Sequence, residues 1–167
     1  MPHPLHAPWR MEYIRSLEKP EEGECFLCAA AAATDAEEKR RRLVLWTTPH
    51  SVVLINRYPY TNGHLLIAPR EHLAELELLS DDVANDLQRQ TIRAVQLLKR
   101  AISPQGFNLG INIGRCAGAG LPGHVHQHVV PRWNGDTNFM SVIGEVRVVP
   151  QAMGQLWEEL IAVVGND

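Results

Sequence analysis

The chain has 167 residues, of which 45% are hydrophobic and 21% are charged, so one ordinary domain with a packed core is expected and global disorder is not. The 16 basic and 19 acidic residues give a net charge of −3, which argues against a nucleic-acid partner. The lack of an apolar run of about 20 residues, the lack of a signal peptide and the count of only three cysteines favour a cytoplasmic protein with no membrane partner.

The first part of the chain predicts an arm, a helix and three strands. Residues 1–22 are rich in proline but carry Trp9, so we expect an arm packed on a single domain over residues 23–167. Residues 29–42 begin with five alanines and end in a basic run, which favours one short helix. Apolar, β-branched segments bounded by turn sequences predict strands at 43–48, 51–56 and 64–68.

The second part of the chain predicts a long amphipathic helix that begins after the cap residue Ser80 and ends before Pro104. Its apolar residues recur at helical spacing on one face, at Val83, Leu87, Ala94, Val95, Leu98 and Ile102. Strands are predicted at 107–113 and 125–130, and a final helix at 151–164. Short turns between neighbouring strands favour an antiparallel sheet of about five strands with helices on one side, an α+β fold.

The segment from Gly123 to Pro131 carries three histidines at every second position, His124, His126 and His128. On a strand, alternate side chains share one face, so the three imidazoles are expected to point the same way. A row of three imidazoles would be an unusual core. It indicates either metal binding or nucleophilic and acid–base catalysis.

The loop before this segment, residues 112–123, is rich in glycine and contains Arg115. Glycine allows main-chain N–H groups to approach an anion closely. Together with the histidines, the loop suggests a phosphate held beside an imidazole nucleophile. Such an imidazole can form a phosphoramidate with phosphorus, which divides one difficult transfer into two easier ones.

Cys25 and Cys28 form a C-x-x-C pair near the start of the predicted domain. In an intracellular chain, such a pair is typical of half a zinc site or of a redox pair, and it can also be two thiols packed under the arm. No thioredoxin-like βαβ pattern surrounds the pair, which disfavours the redox interpretation. Cys116 is unpaired in the glycine-rich loop.

The segment 124–130 resembles the signature of the histidine triad (HIT) family, His-φ-His-φ-His-φ-φ with φ apolar, and Gln127 departs from it on the face opposite the histidines. Segment 55–69 resembles the family's upstream nucleoside-binding segment. Segments 7–10 and 131–139 resemble its bacterial branch, close to diadenosine polyphosphate hydrolases and diadenosine tetraphosphate phosphorylases. The resemblance implies a HIT-like fold with a long crossover helix, a homodimer, and cleavage of dinucleoside polyphosphates at the α-phosphate.

The resemblance also implies residue roles. His126 would be the nucleophile, from which water or phosphate then releases the nucleotide, and His128 would contact the phosphates and assist the leaving group. His124 would be structural or a metal ligand, with its carbonyl fixing the tautomer of His126. The residues expected at the nucleotide are Asn56, His64, Asn112, Gly118, Ala119 and Gly120.

Part of the family carries a structural zinc, and the resemblance implies that Cys25, Cys28, His72 and His124 would bind it here. Four protein ligands close a tetrahedral site and leave no open position for catalysis. The sequence leaves open whether Mg²⁺ accompanies the substrate and whether the acceptor is water or phosphate. The alternative functions are a nucleoside phosphoramidate or aminoacyl-adenylate hydrolase, and a nucleotide-binding signalling module.

Overall fold

The structure, a computed structural model, describes residues 25–136 and 151–165. The arm predicted over residues 1–22 lies outside the described residues, as do residues 137–139 of the segment that resembles the bacterial branch. In the described part of the chain, every helix is too short or too polar to cross a membrane.

Five strands form one antiparallel sheet, as the sequence predicts. They are β1 (Val44–Thr47), β2 (Ser51–Ile55), β3 (Leu65–Pro69), β4 (Gly106–Ile111) and β5 (Gln127–Arg132). Their order across the sheet is β1-β2-β3-β5-β4, and every neighbouring pair is antiparallel. β2 and β3 are buried along their whole length, which fits their continuous apolar sequences. The α+β prediction is confirmed, and β4 ends two residues before the predicted position 113.

The helix predicted over 29–42 is wrong as a single element. The structure has two helices there, α1 (Phe26–Ala32) and α2 (Ala36–Arg41). The backbone is extended at both Ala33 and Asp35, and the side chain of Asp35 accepts a hydrogen bond from the N–H of Glu38 at 2.8 Å. An aspartate at this position satisfies an otherwise unpaired donor of the first helical turn. Asp35 therefore starts a new helix where the alanine run alone suggests continuity.

The long helix α3 (Asp81–Ile102) crosses between β3 and β4, which lie parallel on either side of β5. Ser80 caps it, because its side chain accepts a hydrogen bond from the N–H of Val83 at 3.4 Å. Ser103 ends it in the left-handed conformation, directly before Pro104. Both predicted boundaries are confirmed. The last helix, α4 (Met153–Val164), packs against α3 and β1.

Helices cover both faces of the sheet, which corrects the expectation of helices on one side. α3 and α4 pack on one face, where Leu65, Ile67 and Val129 meet Leu98 and Leu156. α1 packs on the other face, where Leu27 and Ala30 meet residues of β2 and β3. Residues 26–28 continue the apolar alanine run toward the N-terminus, and this gives α1 a buried face that the predicted start at residue 29 missed.

Candidate functional site

The three triad histidines lie at the start of β5, but only His128 belongs to the strand. β5 begins at Gln127, two residues after the predicted start at Val125. The N–H of Val125 donates to the carbonyl of Leu73 at 2.6 Å, outside the ladder of β5 with its neighbours. The rings therefore form two groups. The rings of His126 and His128 lie 5.0 Å apart between centroids, whereas the ring of His124 lies 5.0 Å from that of His72.

The tautomer of His126 is fixed by the backbone. Its Nδ1 lies 2.8 Å from the carbonyl oxygen of His124, and a carbonyl only accepts hydrogen bonds, so Nδ1 carries the proton. The other ring nitrogen, Nε2, then holds a lone pair. His126 is buried, with an exposed fraction of 6%. A neutral imidazole with a free Nε2 lone pair is the form that acts as a nucleophile.

His128 receives a hydrogen bond from His64, which adjoins β3. The N–H of Tyr60 donates to Nδ1 of His64 at 3.1 Å, so His64 carries its proton on Nε2. That Nε2–H donates to Nδ1 of His128 at 2.9 Å. The proton of His128 consequently lies on Nε2, a buried atom without a hydrogen-bond partner among the described residues. His128 thus presents an N–H donor, next to the lone pair of His126.

Burial, followed by the nearby His126, lowers the pKa of His128 to about 4. His128 is therefore neutral at pH 7, and the hydrogen bond from His64 requires that neutral state because it occupies the Nδ1 lone pair. Because His128 carries no formal charge, it does not by itself neutralise a polyanionic ligand. Such a ligand requires further donors at the site.

Asn56 lies at the end of β2, in contact with the loop that carries His64. Its own N–H donates to the carbonyl of His64 at 2.8 Å, and its side-chain oxygen accepts from the N–H of Tyr58 at 3.0 Å. Its side-chain nitrogen lies 3.3 Å from Nδ1 of His64. The structure therefore brings Asn56 and His64 together beside His128, and in this state Asn56 orders the loop.

The glycine-rich loop connects β4 to the triad segment. Residues Ile111 and Gln127 pair across β4 and β5, so the loop leaves the sheet beside the histidines. Gly114 and Gly118 have φ angles of +78° and +86°, a region that favours glycine. The N–H of Ala119 donates to the carbonyl of Gly114 at 3.2 Å, which closes the loop on itself. The predicted residues Asn112, Gly118, Ala119 and Gly120 all lie on this loop. No hydrogen bond among the described residues ties them to the triad rings.

The second group of side chains is Cys25, Cys28, His72 and His124, whose ligand atoms all lie within 4.8 Å of one another. The Sγ atoms of Cys25 and Cys28 lie 3.2 and 3.5 Å from Nδ1 of His124, and Sγ of Cys28 lies 3.3 Å from Nδ1 of His72. The edge of a tetrahedron with bonds of 2.0–2.3 Å is roughly 3.5 Å. The four residues therefore fit a tetrahedral metal ion.

His124 has the tautomer that a metal ligand requires. Its Nε2 lies 2.9 Å from the carbonyl oxygen of Pro69, so Nε2 carries the proton and the Nδ1 lone pair faces the thiols. Burial lowers the pKa of His124, with further lowering from His72 and His126, and this favours the neutral ligand form. The Pro69 carbonyl was not predicted as part of the site. The pattern of the sequence contains no signal for it, because any residue there provides a carbonyl.

Tyr60 is the other residue at the site that the sequence reasoning missed. Its ring lies 4.6 Å from that of His64 and 5.7 Å from that of His128. A signal was available, since an aromatic residue in a short loop four positions before a site histidine is well placed to contact it.

Comparisons with known proteins find relatives of this chain in sequence and in structure. A family model described as the HIT domain matches residues 37–135. A Mycobacterium tuberculosis protein named AP-4-A phosphorylase is 37% identical over 153 residues, which are 89% of this chain and 77% of that protein. A Schizosaccharomyces pombe protein named bis(5'-nucleosyl)-tetraphosphatase (asymmetrical) is 31% identical over 93 residues, 56% of this chain and 50% of that protein.

Among solved structures, a Zn-bound histidine triad family protein from Mycobacterium smegmatis has a TM-score of 0.66. It is 23% identical to this chain, and the match covers 86% of this chain and 94% of that protein. At this identity the likeness concerns the fold. The open five-stranded sheet with its crossover helix is therefore an architecture that other proteins share.

Proposed function

This chain belongs to the histidine triad family, and we propose that it is an enzyme that cleaves dinucleoside polyphosphates at the α-phosphate through a nucleotide bound covalently to His126. The observation that carries the proposal is the pair of fixed tautomers, which sets a lone pair on Nε2 of His126 beside an N–H donor on Nε2 of His128. The names of the M. tuberculosis and S. pombe relatives support the substrate class.

In the first step, the lone pair on Nε2 of His126 forms a P–N bond to the α-phosphorus, and the P–O bond to the remaining phosphate chain breaks. The electron pair of that bond leaves on the phosphate oxygen, which accepts a hydrogen bond from Nε2–H of His128. His126 becomes cationic, and its Nδ1–H bond to the carbonyl of His124 strengthens because a charged donor binds more strongly.

In the second step, water or inorganic phosphate attacks the same phosphorus and the P–N bond breaks. The electron pair returns to Nε2 of His126, and the proton of the acceptor passes to solvent. Water would release a nucleoside monophosphate, and phosphate would release a nucleoside diphosphate. The two reactions use the same residues of this chain and differ only in the acceptor that reaches His126.

The phosphate charge requires donors other than His128, and the glycine-rich loop is the proposed source. It leaves β4 beside the triad and contains Arg115 and the main-chain N–H of Gly120, whereas the N–H of Gly118 donates to the carbonyl of Arg115 at 3.0 Å. Preorganised N–H donors stabilise charge that develops on phosphate oxygens in a transition state. Asn56 and His64 border the opposite side of His128, where the nucleoside would lie.

We also propose that Cys25, Cys28, His72 and His124 hold a structural zinc ion. Two thiolates and two imidazoles are ligands that zinc prefers, and three of the separations between their ligand atoms, 3.2, 3.3 and 3.5 Å, are close to the edge of a tetrahedron around zinc. When bound, the ion would cross-link α1 to the triad segment and take no part in the reaction. Thiolate ligands persist in a reducing compartment such as the cytoplasm, the compartment we propose.

The proposed assembly is a homodimer that joins two sheets at β4. Among the described strands, β4 is an edge strand with a neighbour on one side only. Leu109 on β4 and Ile92 on α3 are both about half exposed, so each is accessible to a second copy of the chain. Analytical ultracentrifugation of the Leu109→Lys variant tests this, since a charge at the seam would convert a dimer to a monomer.

The test of the proposed reaction is incubation with diadenosine tetraphosphate, with and without inorganic phosphate, followed by chromatography of the products. ADP and ATP formed only with phosphate identify a phosphorylase. AMP and ATP formed without phosphate identify a hydrolase. No cleavage under either condition contradicts the proposal, and adenosine phosphoramidate is then the substrate to assay.

Two histidine variants separate chemistry from binding. His126→Asn should abolish turnover and still bind the substrate, because it removes only the nucleophile. His50→Asn is the matched control, since His50 is an exposed histidine in the turn between β1 and β2. An alkaline detergent quench of the wild-type reaction with radiolabelled substrate should trap the nucleotide on the protein, because the P–N bond of the intermediate is labile in acid but survives alkali, and His126→Asn should trap none.

A further inference from the structure

Tyr60 contacts both histidines of the donor pair. It lies in the loop between β2 and β3, and its ring is 40% exposed. The ring centroid lies 4.6 Å from that of His64, with the planes at 40°. It lies 5.7 Å from that of His128, with the planes at 21°, which is a near-parallel stack. The main-chain N–H of the same residue donates to Nδ1 of His64 at 3.1 Å.

These contacts involve His64 and His128, and the proposed mechanism uses the Nε2–H group of His128. The hydrogen bond from Tyr60 places the proton of His64 on Nε2, and that proton in turn leaves His128 with its own proton on Nε2. The pair keeps this arrangement only while its rings keep their orientation. A water molecule at Nδ1 of His128 could replace the bond from His64 and allow the opposite tautomer. The ring of Tyr60 stacks on that of His128 and packs at a tilt against that of His64, so it contacts both members of the pair.

We propose that Tyr60 is a positioning residue, whose aromatic ring holds the His64–His128 pair in the orientation that presents Nε2–H of His128 to the leaving group. Stacked aromatic rings attract each other beyond the effect of buried area, so the ring provides a specific orientation as well as a cover. The expected effect of Tyr60 on the reaction rests on the proposed function, whereas its expected effect on the tautomer of His128 does not. The titratable side chains whose rings contact His128 in the described residues are Tyr60, His64 and His126.

The test compares Tyr60→Leu, which keeps an apolar side chain but removes the ring, with Tyr60→Phe, which keeps the ring. Nuclear magnetic resonance with ¹⁵N-labelled histidine reports which nitrogen of His128 is protonated in the protein without substrate. We expect wild type and Tyr60→Phe to show one tautomer, protonated at Nε2. Tyr60→Leu should show a mixture of both. A single unchanged tautomer in Tyr60→Leu would overturn the proposal.

Kinetics provide the second readout. In Tyr60→Leu we expect kcat for diadenosine tetraphosphate to fall roughly tenfold while KM stays within about twofold, because the interaction acts on the transition state. Tyr60→Phe, which keeps the ring, should stay near wild type. A rise in KM with kcat unchanged would instead mean that Tyr60 binds the substrate, and it would contradict a positioning role.

The two readouts separate this proposal from the proposed function. If wild type fails to cleave the dinucleotide, the proposed function is wrong, and the tautomer measurement still decides the role of Tyr60. If wild type cleaves it and Tyr60→Leu is unaffected, the proposed function stands and the role of Tyr60 is wrong. Tyr60→Met is a second variant without a ring, for use if Tyr60→Leu shows a lower melting temperature than wild type.

Discussion

His124 contacts its surroundings through both ring nitrogens and through its carbonyl oxygen. Its Nδ1 faces the thiols of Cys25 and Cys28, its Nε2–H donates to the carbonyl of Pro69, and its own carbonyl accepts from Nδ1–H of His126. The first contact belongs to the proposed zinc site and the third to the proposed nucleophile. A displacement of His124 would therefore alter both the proposed zinc site and the orientation of His126.

The first prediction separates the two roles of His124. His124→Ala and His72→Ala should both lower the zinc content of the purified protein, because each removes one ligand. Only His124→Ala also frees the main chain that orients His126, so it should lower kcat at least about tenfold more than His72→Ala does. Zinc content by mass spectrometry and steady-state kinetics check this. Equal losses of kcat in both variants would mean that the metal alone supports the nucleophile.

The residues differ in how much of their role the sequence reveals. The spacing of His124, His126 and His128 is local, so a single sequence exposes it. The direction of the His124 ring depends on contacts with residues 96 and 99 positions away, which no local pattern encodes. The expectation of one shared face assumed a regular strand, and the hydrogen bond of Val125 to Leu73 shows that the strand has not yet begun there.

At the scale of elements, Asp86 ties α3 to the turn between β1 and β2. Its Oδ2 accepts from the hydroxyls of Thr48 and Ser51, each at 2.6 Å, and its Oδ1 accepts from the side chain of Gln90 at 2.9 Å. Gln90 accepts in turn from the indole N–H of Trp46. Burial raises the pKa of Asp86, but these hydrogen bonds outweigh it and the pKa lies below its ordinary value.

The second prediction concerns Asp86→Asn, which removes the charge from this network. The variant should be about 1–3 kcal/mol less stable than wild type at pH 7, the range for hydrogen bonds to a charged group. Because the pKa of Asp86 is lowered in the folded state, its contribution is present above the unfolded value near 3.8 and is lost as the pH falls below it. Urea unfolding at pH 7 and at pH 3 checks both statements.

A matched control for Asp86→Asn is Asp82→Asn, in the first turn of the same helix but exposed. It should cost only about 0.3–1 kcal/mol through the helix dipole. If both variants lost the same stability, the buried network would contribute no more than a surface charge does.

The elements themselves were predictable where they carry their own signals. The helix α3 has a cap, an amphipathic pattern and a proline beyond its end, and both of its ends were predicted from them. The break between α1 and α2 was not, because the alanine run extends to Ala33, past the end of α1, and only the cap at Asp35 marks the second start. The position of α1 on the opposite face of the sheet depends on which side the chain enters, and helical periodicity carries no information about that.

At the scale of the whole molecule, the third prediction is a loss of stability in weak acid. The pKa of His128 is about 4 in the folded protein, against 6.5 for an ordinary histidine. The unfolded chain therefore binds this proton first, so the free energy of unfolding should decrease as the pH falls from about 6.5 to about 4. The variant His128→Gln should show a shallower decrease over that range. Equal slopes for the two proteins in urea unfolding would contradict the buried neutral state.

The last prediction is that metal removal destabilises the whole molecule. The four proposed ligands come from α1, the chain after β3 and the triad segment, so a bound ion cross-links parts of the chain that are far apart in sequence. A ligand present at about a thousand times its dissociation constant adds roughly 4 kcal/mol, which corresponds to a melting temperature on the order of 10 °C higher. Chelation should remove about one zinc per chain and lower the melting temperature by that order, and added zinc should restore it. Cys25→Ser should melt like the chelated protein and ignore added zinc, whereas Cys116→Ser, on the exposed loop, should behave as wild type. A melting temperature that chelation leaves unchanged would contradict a structural metal.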